Sequence, residues 1–325
     1  MLKGSIWLIR LSMRKILLLI FGISGCQVIA AGMMPLESPS SFAYVLQADE
    51  LGQTPAVVAD KLNKSQRDWF VLDPHFSEEV LWQSSDLKII RGNSPKRKII
   101  AYISIGEAED YRTYWKKSWL DNGKPTSATP PWLLNENPEW KGNFVVKYWD
   151  KEWQKIILNA VEQAMAAGFD GVYLDIVDGF ETFEKVGTDY DENRINPETK
   201  QSYRRDMIDW VKRIAVQARA KKSDALVIPQ NGSALLESDD FLSHISAIGI
   251  EDLYTVGDKK QPSGDTRDVL DNLQRIKESK KPILLIEYAQ KGELQTYVKK
   301  RALDDGLILL LTDRDLKTLG SSPSK

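Results

Sequence analysis

Gly168-Phe169-Asp170-Gly171-Val172-Tyr173-Leu174-Asp175-Ile176-Val177-Asp178-Gly179 is the stretch whose reading decides the fold. A helical pattern ends at Gly168, a residue that tolerates the left-handed backbone common just past a helix. Residues 172–175 then read as a short buried strand, with Asp175 at its end and Asp178 and Gly179 just beyond. In a parallel α/β sheet the ligand site lies at the C-terminal ends of the strands. A carboxylate in the last position of a strand is therefore held rigidly at the mouth. The local alternative is that Asp175 caps a helix or closes a turn, and this stretch alone leaves both open.

Seven further apolar runs flank it: 42–46, 69–74, 98–107, 225–232, 245–251, 282–288 and 307–312. Most are followed by a helical pattern. Helices are expected at 55–62 (Thr54 as N-cap, Pro55 in the first turn), 76–90, from Asp150 through the 150s and 160s, and at 202–222, 235–243, 265–277 and 294–304. The runs are almost continuously apolar, as strands covered on both faces should be. Eight strands alternating with helices over about 280 residues predict an α/β protein of the (β/α)8 TIM-barrel class. An open doubly wound sheet is the competitor. It normally carries a glycine-rich phosphate turn, and no GxGxxG or GxxxxGK[ST] follows any strand here. Between the third and fourth runs lies a long polar insertion with Trp115, Trp119, Trp132 and Trp140, expected to be functional.

The chain has 325 residues, 42% hydrophobic and 28% charged, an ordinary soluble composition. Its first 25 residues carry Lys3, Arg10, Arg14 and Lys15 and no acid, against a net charge of −2 for the whole. The remainder is thus mildly acidic, which does not suggest nucleic-acid binding. A basic flank at 13–15, a short apolar run at 16–23 and then Ile23-Ser24-Gly25-Cys26 match a bacterial lipoprotein signal. In that reading residues 1–25 are a signal peptide and Cys26 is lipidated. Residues 26–41 then form a tether, 42–318 the barrel domain, and 319–325 a frayed tail. A plain secretory signal cut near Ala30-Ala31 is the alternative. Both readings place the protein outside the cytoplasm, the first as a lipid-anchored membrane protein. The protein is expected to be a monomer.

Polar residues gather at the strand ends: Glu107, Asp175 and Asp178, Gln230 and Asn231, Glu251 and Asp252, Glu287 and Tyr288, Thr312 and Asp313. One such ending is a cap, whereas a barrel collects six around one pocket. A cluster of acids is costly unless a metal or substrate uses it. The two histidines, His75 and His244, lie at no predicted strand end, and both are read as structural or exposed. With one Cys, no His/Cys zinc site can be built, and no GxSxG elbow exists. What remains is carboxylates, amides, Tyr and Trp, a set that suits glycoside hydrolysis without a cofactor. One carboxyl protonates the leaving group while the other attacks the anomeric carbon or activates water. Aromatic faces stack on sugar rings, and acids would favour an amino sugar.

Tyr102-Ile103-Ser104-Ile105-Gly106-Glu107-Ala108-Glu109, the 168–178 stretch, Gln230-Asn231-Gly232, Gly249-Ile250-Glu251-Asp252-Leu253 and Ile286-Glu287-Tyr288-Ala289 follow one another in order. Together they resemble glycoside hydrolase family 114, the endo-α-1,4-polygalactosaminidase family of TIM-barrel proteins, from about residue 42 to about 313. The resemblance implies hydrolysis of α-1,4-linked galactosamine polymers within exopolysaccharides. It also implies a catalytic pair at Asp175 and Glu251, with Glu287 as a rival for the second place. Tyr102, Glu107, Asp178, Asn231, Glu287 and Tyr288 are expected against the substrate, a polysaccharide.

Two other readings remain. One is a non-catalytic carbohydrate-binding barrel lipoprotein, motivated by the Trp-rich insertion. The other is an acidic rim holding a divalent metal for a phosphodiesterase or lyase.

Overall fold

The computed structural model describes residues 36–322. The expected signal peptide at 1–25, Cys26 and the first part of the tether lie outside these residues. Eight parallel strands form the core: β1 (Phe42–Val45), β2 (Trp69–Leu72), β3 (Lys98–Ser104), β4 (Gly171–Asp175), β5 (Leu226–Pro229), β6 (Ile248–Glu251), β7 (Ile283–Glu287) and β8 (Ile308–Leu311). Strands β1 to β5 hydrogen-bond in chain order, as do β6 to β8. One bridge, Gln230↔Gly249, joins the two arcs, and β8 packs beside β1. The result is a (β/α)8 barrel with one open seam.

Residues just outside β1 and β8 fill that seam. The Leu46 N–H donates to Leu316 O at 2.9 Å, Ser321 pairs with Leu311, and the Phe42 N–H donates to Ser322 Oγ at 3.2 Å. Residues 319–322 are thus tied down, contrary to the expected frayed tail, because the free edge of β1 needs acceptors. The tether likewise gives way to packed chain before residue 42. Leu36 sits against the barrel core, and Ser41 O accepts from the Asp68 and Trp69 N–H groups.

Side chains alternate along each strand. Phe42, Tyr44, Trp69, Val71, Ile100, Tyr102, Tyr173, Ile228, Leu284, Ile286, Tyr288, Ile308 and Leu310 fill the lumen. Their neighbours, such as Val172, Leu174, Val227, Leu285 and Leu309, pack outward on the helices. The longest helices run over Lys151–Ala167 and Tyr203–Lys221. The first is capped by Asp150, whose side chain accepts from the Glu152 and Trp153 N–H groups, and it ends at Gly168 with φ 108°.

Two local expectations need correction. Residues 76–90 are not one helix: His75–Ser77 and Val80–Leu81 form a hairpin, and the helix is Ser84–Arg91. Phe76, on the hairpin's first strand, and Trp82, just past its second, stack edge to face at 5.2 Å. The insertion is also largely structural. Its strands Glu107–Glu109, Leu133–Glu136 and Asn143–Val146 make a small antiparallel sheet. Trp119 and Trp132 are buried in it, packed on Trp115 and Trp153.

Candidate active site

A cleft of about 550 Å³ opens at the C-terminal ends of the strands. Lumen parity places its centre. Asp175, two residues after Tyr173 on β4, and Glu251, two after Gly249 on β6, both face inward. Gly249 makes room for this layer, since a Cβ there would stand 1.8 Å from Tyr173 Oη. Asp175 Oδ2 accepts from Tyr102 Oη at 2.6 Å, and Asp175 Oδ1 from the Ile176 N–H at 2.8 Å. Glu251 Oε2 accepts from Tyr288 Oη at 2.7 Å, and the Glu251 N–H donates to Asn231 Oδ1 at 3.2 Å.

The backbone just past these strands is unusual. Ile176, Asn231 and Asp252 have φ of 56°, 57° and 52°. For β-branched Ile176 the left-handed region is strained. Gly106 allows it, because a Cβ on Gly106 would meet Ile176 O at 2.3 Å. The turn aims Asp175 at the cleft and brings Asp178 to the same wall.

The electrostatics follow from crowding acids in a half-closed site. Burial pushes the Asp175 carboxyl up to about 7, and the charge of Glu251 adds to the effect. Burial and the charge of Asp175 push Asp178 up to about 8, against a hydrogen bond from Asn231. Burial raises Glu251 as well, opposed by the Tyr288 hydroxyl. Two carboxyls so coupled titrate as a unit, one taking up a proton before the other. Buried carboxyls with raised proton affinity suit a site that donates protons.

The structure brings Tyr102, Glu107, Asp175, Asp178, Asn231, Glu251 and Tyr288 to this cleft. Glu107 stands at its edge, its Oε1 accepting from Asn137 Nδ2 at 2.9 Å, and burial raises its carboxyl. Glu287 is not in the cleft. It faces outward from β7, fully buried, and accepts from the Tyr254 N–H at 2.7 Å and from the Thr255 hydroxyl. As a rival catalytic carboxylate or a substrate contact it is therefore corrected to a structural acid. Asp313 binds the Lys317 N–H and the Thr318 hydroxyl, closing the turn after β8. His75, read from sequence as structural or exposed, lines the cleft.

Several residues escaped the sequence reading. Tyr44, next to last on β1, faces the pair, its own hydroxyl near Asp175 and Glu251. Arg112 bridges Asp73 and Glu109 behind Tyr102, at 2.8 Å and 2.7 Å. Arg314 clasps Asp252 with Nη2 at 2.9 Å and 2.8 Å from its two oxygens. Trp140, at the tip of the insertion hairpin, is 51% exposed and lines the cleft. Tyr44 was detectable as a polar residue near a strand end; the two arginines lie in loops and carried no signal. Nine acids line the cleft against three Arg and Lys. Among the described residues, no group of three or more His, Cys, Asp or Glu is arranged to hold a metal ion.

A family model described as glycoside-hydrolase family GH114 matches residues 36–325. The chain is 33% identical over 250 residues to an uncharacterized protein of Deinococcus radiodurans, covering 77% of this chain and 74% of that one. It is 37% identical over 236 residues to an uncharacterized protein of Methanocaldococcus jannaschii, covering 68% of this chain and 63% of that one, less than two thirds of the relative's length. Among solved structures, the glycoside hydrolase domain of PelA from Pseudomonas aeruginosa superposes with a TM-score of 0.62 at 19% identity, over 89% of this chain and all of that domain. Aspergillus fumigatus Ega3 in complex with galactosamine does so with a TM-score of 0.62 at 16% identity, over 92% and 100%. At these identities the likeness is one of fold.

Proposed function

Since this chain belongs to glycoside-hydrolase family GH114, we propose that it cleaves within an α-1,4-linked, galactosamine-type polysaccharide, using Asp175 and Glu251 as its working carboxylates. One observation carries the reading. The two carboxyls occupy lumen-facing positions at the ends of their strands in one cleft, each held by a tyrosine hydroxyl, and the charge of Glu251 makes Asp175 harder to ionise. At neutral pH such a pair keeps one proton. The protonated member gives it to the glycosidic oxygen as the C–O bond breaks. The ionised member attacks the anomeric carbon or takes a proton from the water that does. Either way one water is added and the pair returns to its starting state.

The acidic lining supports an amino sugar as substrate. A protonated amine at each residue of the polymer matches an excess of carboxylates, whereas a uronic acid polymer would be repelled. The Ile23-Ser24-Gly25-Cys26 sequence supports a lipid-anchored protein outside the cytoplasm, where exopolysaccharide is found.

The test is a reducing-end assay on α-1,4-linked galactosamine polymer, deacetylated and partly acetylated, with protein lacking residues 1–26. Wild type is expected to release oligosaccharides, read by mass spectrometry, and Asp175→Asn none, with a loss of at least about 10³-fold. Binding of the polymer without new reducing ends would instead identify a carbohydrate-binding barrel.

A further inference from the structure

Each carboxylate of the pair accepts from a tyrosine, and each of those tyrosines has an arginine over its ring. Arg314 Cζ lies 4.1 Å from the Tyr288 ring centroid, and Arg112 Cζ lies 6.0 Å from that of Tyr102. The two arginines differ in company. Arg112 is held by two acids, Asp73 and Glu109, and that group carries a net negative charge. Arg314 is held by Asp252 alone, so that pair is neutral. Asp252 directly follows Glu251, and its left-handed φ turns the chain there.

From this geometry we propose that Arg314, held by Asp252 and stacked on Tyr288, is a positioning residue that sets the aim and the proton affinity of Glu251. The proposal concerns the pair named under Proposed function, but its test does not depend on turnover. Stacking fixes the Tyr288 ring so that its hydroxyl points at Glu251 Oε2. The guanidinium also places a positive charge behind that hydroxyl, while Asp252 places a negative one beside it. The arrangement acts as a balanced dipole, and removing either half leaves the other uncompensated next to Glu251.

The charged and titratable groups facing Glu251 are Asp175, Asp178 and Tyr173 from the β4 side, Tyr44 from β1, Tyr288 from β7, Asp252 beside it, and Arg314 from beyond β8. Gln230 adds a hydrogen bond. Only Arg314 among them is a cation. Without it Asp252 stands unpaired and Glu251 binds its proton more tightly. Without Asp252, Arg314 stands alone and Glu251 binds it less tightly. Without both, the two effects cancel.

The experiment follows the Glu251 side-chain carboxyl by NMR in protein labelled with ¹³Cδ-glutamate, the resonance being assigned with Glu251→Gln. Its titration midpoint is expected to rise by about half a unit to one unit in Arg314→Met and to fall by a similar amount in Asp252→Asn. In the double variant it should return close to the wild-type value, and Arg314→Lys, which keeps the charge, should stay closer to wild type than Arg314→Met. A midpoint unmoved in Arg314→Met, or moved in the same direction by both single changes, would overturn the proposal. Active wild type permits a second readout, in which a limb of the kcat/KM profile moves with the midpoint. A rise in KM with an unmoved midpoint would make Arg314 a substrate contact instead. If no substrate is cleaved, the resonance still decides the matter.

Discussion

The Tyr102 hydroxyl donates a 2.6 Å hydrogen bond to Asp175 Oδ2, across the register that pairs Tyr102 with Tyr173 and Ser104 with Asp175. Tyr102 therefore stabilises the ionised form of Asp175 against burial and the charge of Glu251. Tyr102→Phe keeps the ring in the lumen and removes only the donor. The Asp175 carboxyl should then rise above about 7, moving a limb of the pH–rate profile up by about one unit. A pH series on the purified variant checks this, and an unmoved profile would remove Tyr102 from the mechanism.

Glu287 and Tyr288 are neighbours that face opposite sides of the sheet, Tyr288 toward Glu251 and Glu287 toward Tyr254 and Thr255. Glu287→Gln should retain activity within about threefold, because the amide oxygen still accepts one of the two donors. Glu287→Ala leaves both donors unpaired in the interior and should cost about 1–3 kcal/mol. Denaturant melts beside the activity assay separate these outcomes. An inactive Glu287→Gln with an unchanged midpoint would return Glu287 to the catalytic pair.

Stability should depend on pH through the raised carboxyls, three of them most strongly shifted. Asp175 and Glu287 are pushed up to about 7 and Asp178 to about 8, whereas an unfolded chain titrates such groups near 4. Between these values the folded protein holds more protons than the unfolded one, so stability falls as pH rises from about 4 to about 8. Below that window both states are protonated and this contribution is fully present. The Tm should be lower at pH 8.5 than at pH 5.5, and Asp178→Asn should narrow the gap. A gap as wide in that variant would place its origin elsewhere.

Trp140 is the insertion's exposed tryptophan on the cleft, while Trp119 and Trp132 are buried. Trp140→Ala should raise KM for polymer by about 2–10-fold, with kcat and Tm nearly unchanged. Trp132→Ala, by contrast, should cost about 3–5 kcal/mol in stability. Equal effects of the two changes on stability would mean that Trp140 also packs as core.

The strands themselves were legible from local signals. Apolar runs bounded by Gly, Pro and charged residues located all eight, and β4 starts one residue before its predicted position. Asp150, Thr54 and Gly168 mark helix ends as their side chains and backbone freedom require. The helix expected at 76–90 gives way at its start because Phe76 and Trp82 pack across a hairpin that the local apolar spacing does not reveal. The functional weight given to the Trp-rich insertion was too broad for a similar reason. Burial and sugar stacking use the same residue type, and only exposure separates Trp140 from the rest.

The sequence by itself determined the barrel, the rim of acids and the two strand ends that carry Asp175 and Glu251, because strand length, capping and order are local properties of the chain. The tertiary structure decided which acids meet. A barrel strand is apolar on both faces, so the two-residue period that would tell inside from outside is erased, and Glu287 reads as well as Glu251 until the lumen is closed. The bonds that set the site's charge, Tyr102 to Asp175, Tyr288 to Glu251 and Arg314 to Asp252, join residues 73, 37 and 62 positions apart. Contacts at that separation exist only once the strands have paired and their loops have come together at one end of the barrel.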